Sequence, residues 1–167
     1  IRQQFQGANQ WLDTTLQGVT PEQAHWHPPG IANPLGATYV HTILIQDFVT
    51  DVLIKGGPPL AATAFGGKIG ISEMPPVEGD TTAWDLWGRS VEVDLDAVRE
   101  YGKAVQAETD NFFSSLTEAE MNRQIDTPLG KQTVLFMINV ALLGHTHDHT
   151  GEISCLKGLQ GDKGYVV

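Results

Sequence analysis

Histidines with the spacing of metal ligands lie near the end of the chain. His145 and His149 are four residues apart. On an α-helix this spacing places both side chains on one face, about one turn or roughly 6 Å apart along the axis. Two imidazoles in this arrangement can chelate one ion, as in zinc-binding helices. The pair indicates metal binding, although such pairs also occur by chance on solvated surfaces.

Apolar residues continue the face that carries the two histidines. At helical intervals along this face the sequence has Val134, Ile138, Ala141, Glu152 and Leu156. A solvated helix face would lack this apolar continuation, so the pair is expected in a seam facing the core. His147 points to the opposite face, beside Val140 and Leu143, and is not assigned to the site.

A third ligand is needed because two rarely make a stable site, and His41 is the candidate. It shares a helical stripe with Ile45, Phe48 and Val52, which we expect to face the core. A single histidine there is more typical of a hydrogen-bonded core residue than of a ligand. Together with the pair near the end of the chain, however, it favours a metal site over three structural histidines.

Three imidazoles suit a borderline divalent ion, with zinc or nickel favoured and iron(II) as a further option. They leave at least one coordination position for water or substrate, as in catalytic zinc sites. Such an ion can lower the pKa of bound water or stabilise a thiolate. Asp148 and Glu152 are candidates to accept a hydrogen bond from an imidazole N–H. Both residue types are also typical of charged surface positions, and for Asp148 this interpretation is slightly favoured.

Four helices with apolar stripes supply the elements that position these residues. They are expected at about residues 2–17, 34–54, 94–116 and 132–157, with a short helix near 82–91. Asn33 is a good N-cap for the second helix, and Pro34 suits its first turn. Residues 127–131 read as a tight turn that two short paired strands can flank.

A long segment without periodicity, residues 55–80, separates the second and third long helices. Loops of this length are uncommon in compact domains and need a reason. A helix of about 20 residues is roughly 30 Å long, so two consecutive parallel helices require a connection that travels back along the bundle. The pattern predicts an all-α four-helix bundle that forms a single domain over residues 1–167.

Composition excludes several classes of function. The chain has 167 residues, 20 acidic against 10 basic, and a formal charge of −10, so it repels phosphate backbones and no nucleic-acid partner is expected. The longest apolar stretch is too short to span a bilayer, so no membrane partner is expected. The N-terminus shows no secretory pattern, although a leader before Ile1 stays open. The single cysteine, Cys155, excludes an internal disulfide, favours the cytoplasm and is expected to be buried.

These features resemble the DinB-like (DinB/YfiT) superfamily of metal-binding four-helix bundles. The resemblance rests on one histidine early in the second helix, a long crossover, and His-x-x-x-His-x-Gly-Glu in the last helix. It covers most of the chain. Flanking segments that fit a subgroup are Trp26 with Pro28-Pro29, Asn33-Pro34-Leu35-Gly36, Glu152-Ile153 and Lys157-Gly158-Leu159-Gln160-Gly161.

The resemblance implies an up-down-down-up topology, which explains the long second connection, and metal ligation by His41, His145 and His149. It also implies a homodimer, for which Phe136, Val140 and Leu143 offer a face, although burial within one chain explains them equally. Relatives include thiol-dependent transferases and maleylpyruvate isomerases. The leading hypothesis is a metal-dependent transferase acting with a low-molecular-weight thiol and a small-molecule substrate, or a related hydrolase or isomerase. The alternative is a non-catalytic metal-binding or stress-response protein with the same fold.

Overall fold

Helices dominate the protein, and a small two-stranded sheet accompanies them. The computed structural model describes residues 1–76, 81–128 and 130–165. The helices are α1 (Arg2–Thr15), α2 (Pro21–His25), α3 (Leu35–Asp47), α4 (Thr81–Ser90), α5 (Leu95–Ser114), α6 (Glu118–Asn122), α7 (Val134–Met137) and α8 (His145–Leu159). The antiparallel strands are β1 (Gln124–Thr127) and β2 (Gly130–Thr133). No described helix is long and apolar enough to cross a membrane.

Two of the helices continue into π-helical segments, in which each turn contains an additional residue. Helix α3 passes directly into the first, Phe48–Ile54. The second, Ile138–Gly144, joins α7 to α8 without a break. The second long helix therefore ends at residue 54, as predicted, but its last two turns are not α-helical.

The start of α3 lies one residue later than predicted. Pro34 occupies the N-cap with φ −57° and ψ 147°, so Asn33 is outside the helix and makes no capping hydrogen bond to it. The Pro34 carbonyl instead accepts from the Thr38 backbone N–H at 3.1 Å, which closes the first turn. A proline at this position needs no donor of its own because the first N–H groups of a helix have no intrahelical partner.

The last helix also starts later than predicted, because residues 130–133 form β2 rather than its first turn. The predicted paired strands around the turn are present, with Thr127 opposite Gly130. Thr133 ends the strand and caps α7, since its hydroxyl accepts from the Phe136 backbone N–H at 3.1 Å. Strand β2 is thus followed directly by α7, the helix that leads to the histidines of α8.

The crossover between α3 and α4 is held to the rest of the protein at two places. The buried Asp47 carboxylate accepts from the backbone N–H groups of Leu60 and Ala61, at 2.9 and 2.8 Å, and from the Tyr101 hydroxyl at 2.6 Å. Further on, Ile71 forms an isolated antiparallel bridge with Val93. The last part of the predicted loop, residues 77–80, lies outside the described residues.

The buried apolar side chains form two clusters rather than one. Members of the first cluster include Leu12 and Ile153, and members of the second include Phe5 and Ile138. Each long helix, with its π-helical continuation, also contributes buried polar side chains. We call this set the polar layer: Asn9, Gln46, Thr50, Thr109 and Thr146, none more than 4% exposed.

Hydrogen bonds between helices join the members of the polar layer. The Gln46 side-chain amide donates to Asn9 Oδ1 at 2.9 Å and to Thr146 Oγ1 at 2.8 Å. The hydroxyls of Thr50 and Thr109 lie 3.0 Å apart. Buried polar groups require partners of this kind, so the layer fixes how the helices align along their axes.

Two burial predictions are wrong. Cys155 is exposed, whereas a buried thiol was expected. Phe48 is 39% exposed, so the stripe that carries His41 lies at the edge of the core rather than facing its centre. The residues of α3 that are most deeply buried, such as Ile43, lie on its other faces. In the expected dimer face, Leu143 is 9% exposed and packs in the second apolar cluster, while Phe136 and Val140 are exposed.

Candidate metal centre

Three histidines from two helices meet at the edge of the core. His41 lies in the second turn of α3, His145 is the first residue of α8, and His149 follows one turn later. His145 Nε2 lies 3.0 Å from His41 Nε2 and 3.0 Å from His149 Nε2. All three residues are half-buried. The structure therefore brings together the residues that the sequence analysis selected as ligands.

The three ring nitrogens fit a shared ion. One ligand atom from each histidine can be chosen so that all lie within 4.8 Å of one another. Nitrogens bound to one ion at about 2.0–2.1 Å lie roughly 3.0 to 3.4 Å apart. Without an ion, each imidazole can offer only one N–H or one lone pair at Nε2, which satisfies a three-way contact poorly. This donor set can hold a borderline divalent metal.

The surroundings keep two of the imidazoles neutral. Burial, reinforced by the neighbouring His149, lowers the pKa of His41 to about 4. Burial, together with His149 and His41, lowers the pKa of His145 to about 3. At neutral pH both rings therefore have a free lone pair, which a metal ligand requires.

Glu152 orients the third imidazole. Its carboxylate accepts a 2.7 Å hydrogen bond from His149 Nδ1, and this bond lowers the pKa of the Glu152 carboxyl. A proton held on Nδ1 leaves the lone pair of His149 on Nε2, where the other histidines converge. Asp148, the other candidate for such a contact, is exposed and makes no hydrogen bond within the described part of the chain.

The other notable side chains of α8 lie away from this cluster. His147 is exposed and packs edge-to-face against Trp11 of α1, with ring centroids 6.2 Å apart. Thr146 points into the polar layer and contacts Gln46. His145, Thr146 and His147 thus lie in the histidine cluster, in the polar layer and at the surface, respectively.

Trp84 forms part of the surroundings of the cluster. Its ring centroid lies 5.1 Å from that of His41, with an interplanar angle of 79°. From the sequence alone, Trp84 could cover either the core or a pocket, so it was not assigned to the site. Gln46 was also missed, although a glutamine in the middle of an otherwise apolar helix was a visible signal.

Comparison with known proteins adds to this geometry. No curated protein sequence matches the chain. A conserved protein from Enterococcus faecalis, known from its crystal structure, matches with a TM-score of 0.79 and 16% identity, over 95% of this chain and 93% of that one. That similarity establishes the fold alone. The family model of the DinB superfamily matches residues 4–153, a range that includes all three histidines. The chain therefore belongs to the DinB superfamily.

Proposed function

We propose that the protein binds one divalent metal ion through His41, His145 and His149 and acts as a metal-dependent transferase for a low-molecular-weight thiol. The observation that carries the proposal is the convergence of three Nε2 atoms, with 3.0 Å between His145 and each of the others. Three protein nitrogens leave room for an external ligand, as in catalytic rather than structural zinc sites. Zinc and nickel suit this donor set best, and iron(II) is compatible with it.

The side chains of the protein have distinct tasks in this proposal. Burial holds His41 and His145 neutral, so that no proton competes for their lone pairs. Glu152 holds a proton on His149 Nδ1 and turns Nε2 toward the cluster. A bound divalent ion would lower the pKa of a coordinated thiol, so that the thiolate is available near neutral pH.

The transfer itself is a nucleophilic substitution at a carbon atom of the substrate, with the thiolate sulfur as the nucleophile. The thiolate forms a sulfur–carbon bond with an electrophilic substrate while the bond from carbon to its leaving group breaks, and the thiol proton passes to solvent. The exposed side of the half-buried histidines is where thiol and substrate would approach. The substrate would be a small electrophilic molecule.

The contacts between the long helices support a topology for the whole chain. The helices α1, α3, α5 and α8 contact one another in the order α1–α5–α3–α8–α1. This closed order supports an up-down-down-up four-helix bundle, with the crossover fastened by Asp47 between its second and third helices. We also propose that two copies associate through the surface around Phe136 and Val140, which are 37% and 45% exposed.

Metal analysis of the native protein tests the first part of the proposal. We expect one divalent ion per chain, and its loss in the His145→Ala variant. His147→Ala is the matched control, because His147 lies on the same helix but packs against Trp11. A native protein that neither contains nor takes up stoichiometric metal contradicts the proposal.

Thiol transfer tests the second part. Metal-loaded protein is supplied with glutathione, bacillithiol or mycothiol and with 1-chloro-2,4-dinitrobenzene, and chloride displacement is followed by absorbance. We expect transfer with at least one thiol and none in His145→Ala. Stoichiometric metal without transfer to this or other electrophiles would identify a non-catalytic metal-binding or stress-response protein instead.

A further inference from the structure

Two tryptophans one turn apart on α4 have different surroundings. Trp87 is 6% exposed, and its indole N–H donates to the Glu73 carbonyl at 3.0 Å. Trp84 is only half-buried, and its indole N–H makes no hydrogen bond within the described part of the chain. The rings contact each other at 5.4 Å and 72°. Trp87 thus anchors α4, whereas Trp84 retains a free edge beside the histidines.

Close packing fixes the position of α4 against the segment that immediately precedes α3. Gly88 follows Trp84 by one turn and lies on the same face, where a Cβ atom would come within 2.9 Å of the Asn33 side chain. The next residue, Arg89, donates from Nη1 to the Ala32 carbonyl at 2.6 Å. These contacts hold α4, and with it Trp84, in place beside His41.

The geometry of the Trp84–His41 contact determines what the indole can recognise. The two rings meet edge-to-face at 5.1 Å. Aromatic rings attract one another at centroid separations of about 4.5–7 Å, beyond the effect of buried area. A ligand bound to an ion that His41 holds would lie on the same side of the protein as this indole.

We propose that Trp84 is a specificity-determining residue that gives the metal centre a preference for ligands bearing a flat aromatic group next to the metal-binding atom. The inference rests on the proposed metal site and names the class of molecule that the site selects. It requires neither a particular thiol nor a particular reaction.

Cobalt(II)-loaded protein provides the test, with two probes that share one metal-binding head. Benzohydroxamate and acetohydroxamate differ only in a phenyl or methyl group, and visible absorbance of the cobalt reports the binding of each. The measured quantity is the ratio of their dissociation constants. We expect Trp84→Leu, which keeps apolar bulk but removes the ring, to reduce the preference for benzohydroxamate about threefold to tenfold.

Two further variants make the result specific. Trp84→Phe keeps an aromatic ring and should retain most of the preference. Trp11→Leu removes a tryptophan that also packs edge-to-face on a histidine, but on His147, and should leave the ratio unchanged. An unchanged ratio in Trp84→Leu, with cobalt still bound, overturns the inference alone. Failure of the unmodified protein to bind cobalt overturns the proposed metal site and the inference with it.

Discussion

The Gln46 side-chain amide donates a 2.8 Å hydrogen bond to the Thr146 hydroxyl, although the two residues are 100 positions apart in sequence. This bond connects the two helices that carry the histidines. Gln46 follows His41 on α3, and Thr146 is the residue after His145 on α8. The buried hydrogen bond therefore fixes how far α3 and α8 are shifted along each other, and with that the relative position of their histidines.

Breaking this contact should cost stability. Gln46→Leu leaves Asn9 Oδ1 and the Thr146 hydroxyl without their donor, and an unsatisfied buried polar group costs about 1–3 kcal/mol. We expect a fall of this size in the free energy of unfolding, measured by urea denaturation. Replacing all three partners, with Asn9→Leu, Gln46→Leu and Thr146→Val, should recover part of the loss because no polar group is then left unpaired. Equal stability of Gln46→Leu and the unmodified protein would show that the layer contributes nothing.

Removal of the Glu152 carboxylate should weaken metal binding without abolishing it. The carboxylate contacts His149 Nδ1 at 2.7 Å and would not bind the ion itself. Loss of such an outer partner typically costs about 10- to 100-fold in metal affinity. Competition with a chromophoric chelator measures this change in Glu152→Ala. Asp148→Ala is the control, since Asp148 lacks a hydrogen bond in the described structure, and a comparable loss there would contradict the assignment.

Acidification should destabilise the metal-free protein through the histidines. In the folded state the pKa of His41 is about 4 and that of His145 about 3, against an ordinary 6.5. Between these limits the unfolded chain binds more protons than the folded one, so the free energy of unfolding falls as the pH drops from about 6.5 toward 4. Urea denaturation in the presence of a chelator measures the slope. The double variant His41→Asn, His145→Asn should show a shallower dependence on pH, and identical slopes would refute this origin.

Asp47, at the end of α3, should be among the least replaceable of the residues that hold the crossover in place. Asp47→Ala removes the acceptor of two backbone N–H groups and of the Tyr101 hydroxyl. We expect a destabilisation of about 3 kcal/mol or more, with faster amide hydrogen exchange at Leu60 and Ala61. Tyr101→Phe removes only one of these bonds and should cost about 1–2 kcal/mol. If exchange at the two amides stays slow in Asp47→Ala, the carboxylate does not hold the crossover.

Local pattern was sufficient to predict the long helices and part of the site. Apolar residues at helical intervals located α1 and α5 closely, and the four-residue spacing of His145 and His149 placed both on one face. His41 was assigned as a ligand with the help of the family resemblance, because one histidine on a helix does not show which partner it faces. The structure places its ring nitrogen beside that of His145.

Other features depend on interactions that local pattern does not contain. The polar layer joins residues 37 and 100 positions apart, so no helical period reveals it. Residues 132 and 133 pair with β1, although the predicted last helix included them, because the pairing depends on a partner strand and not on local pattern. The exposure of Phe48 follows from which face of α3 its neighbours cover, and that choice is made only when all the helices pack together.

The π-helical segment Ile138–Gly144 lies directly before His145. The number of residues in it therefore determines the direction in which the histidines of α8 point. Each additional residue in a helix turns everything beyond it by about 100°. Deleting one residue there, and so restoring an α turn, would leave the composition and hydropathy of the helix nearly intact. It would nevertheless swing both histidines of α8 away from His41. We therefore expect an insertion or deletion here to disrupt the site, whereas a substitution at an exposed position such as Asn139 should leave it intact.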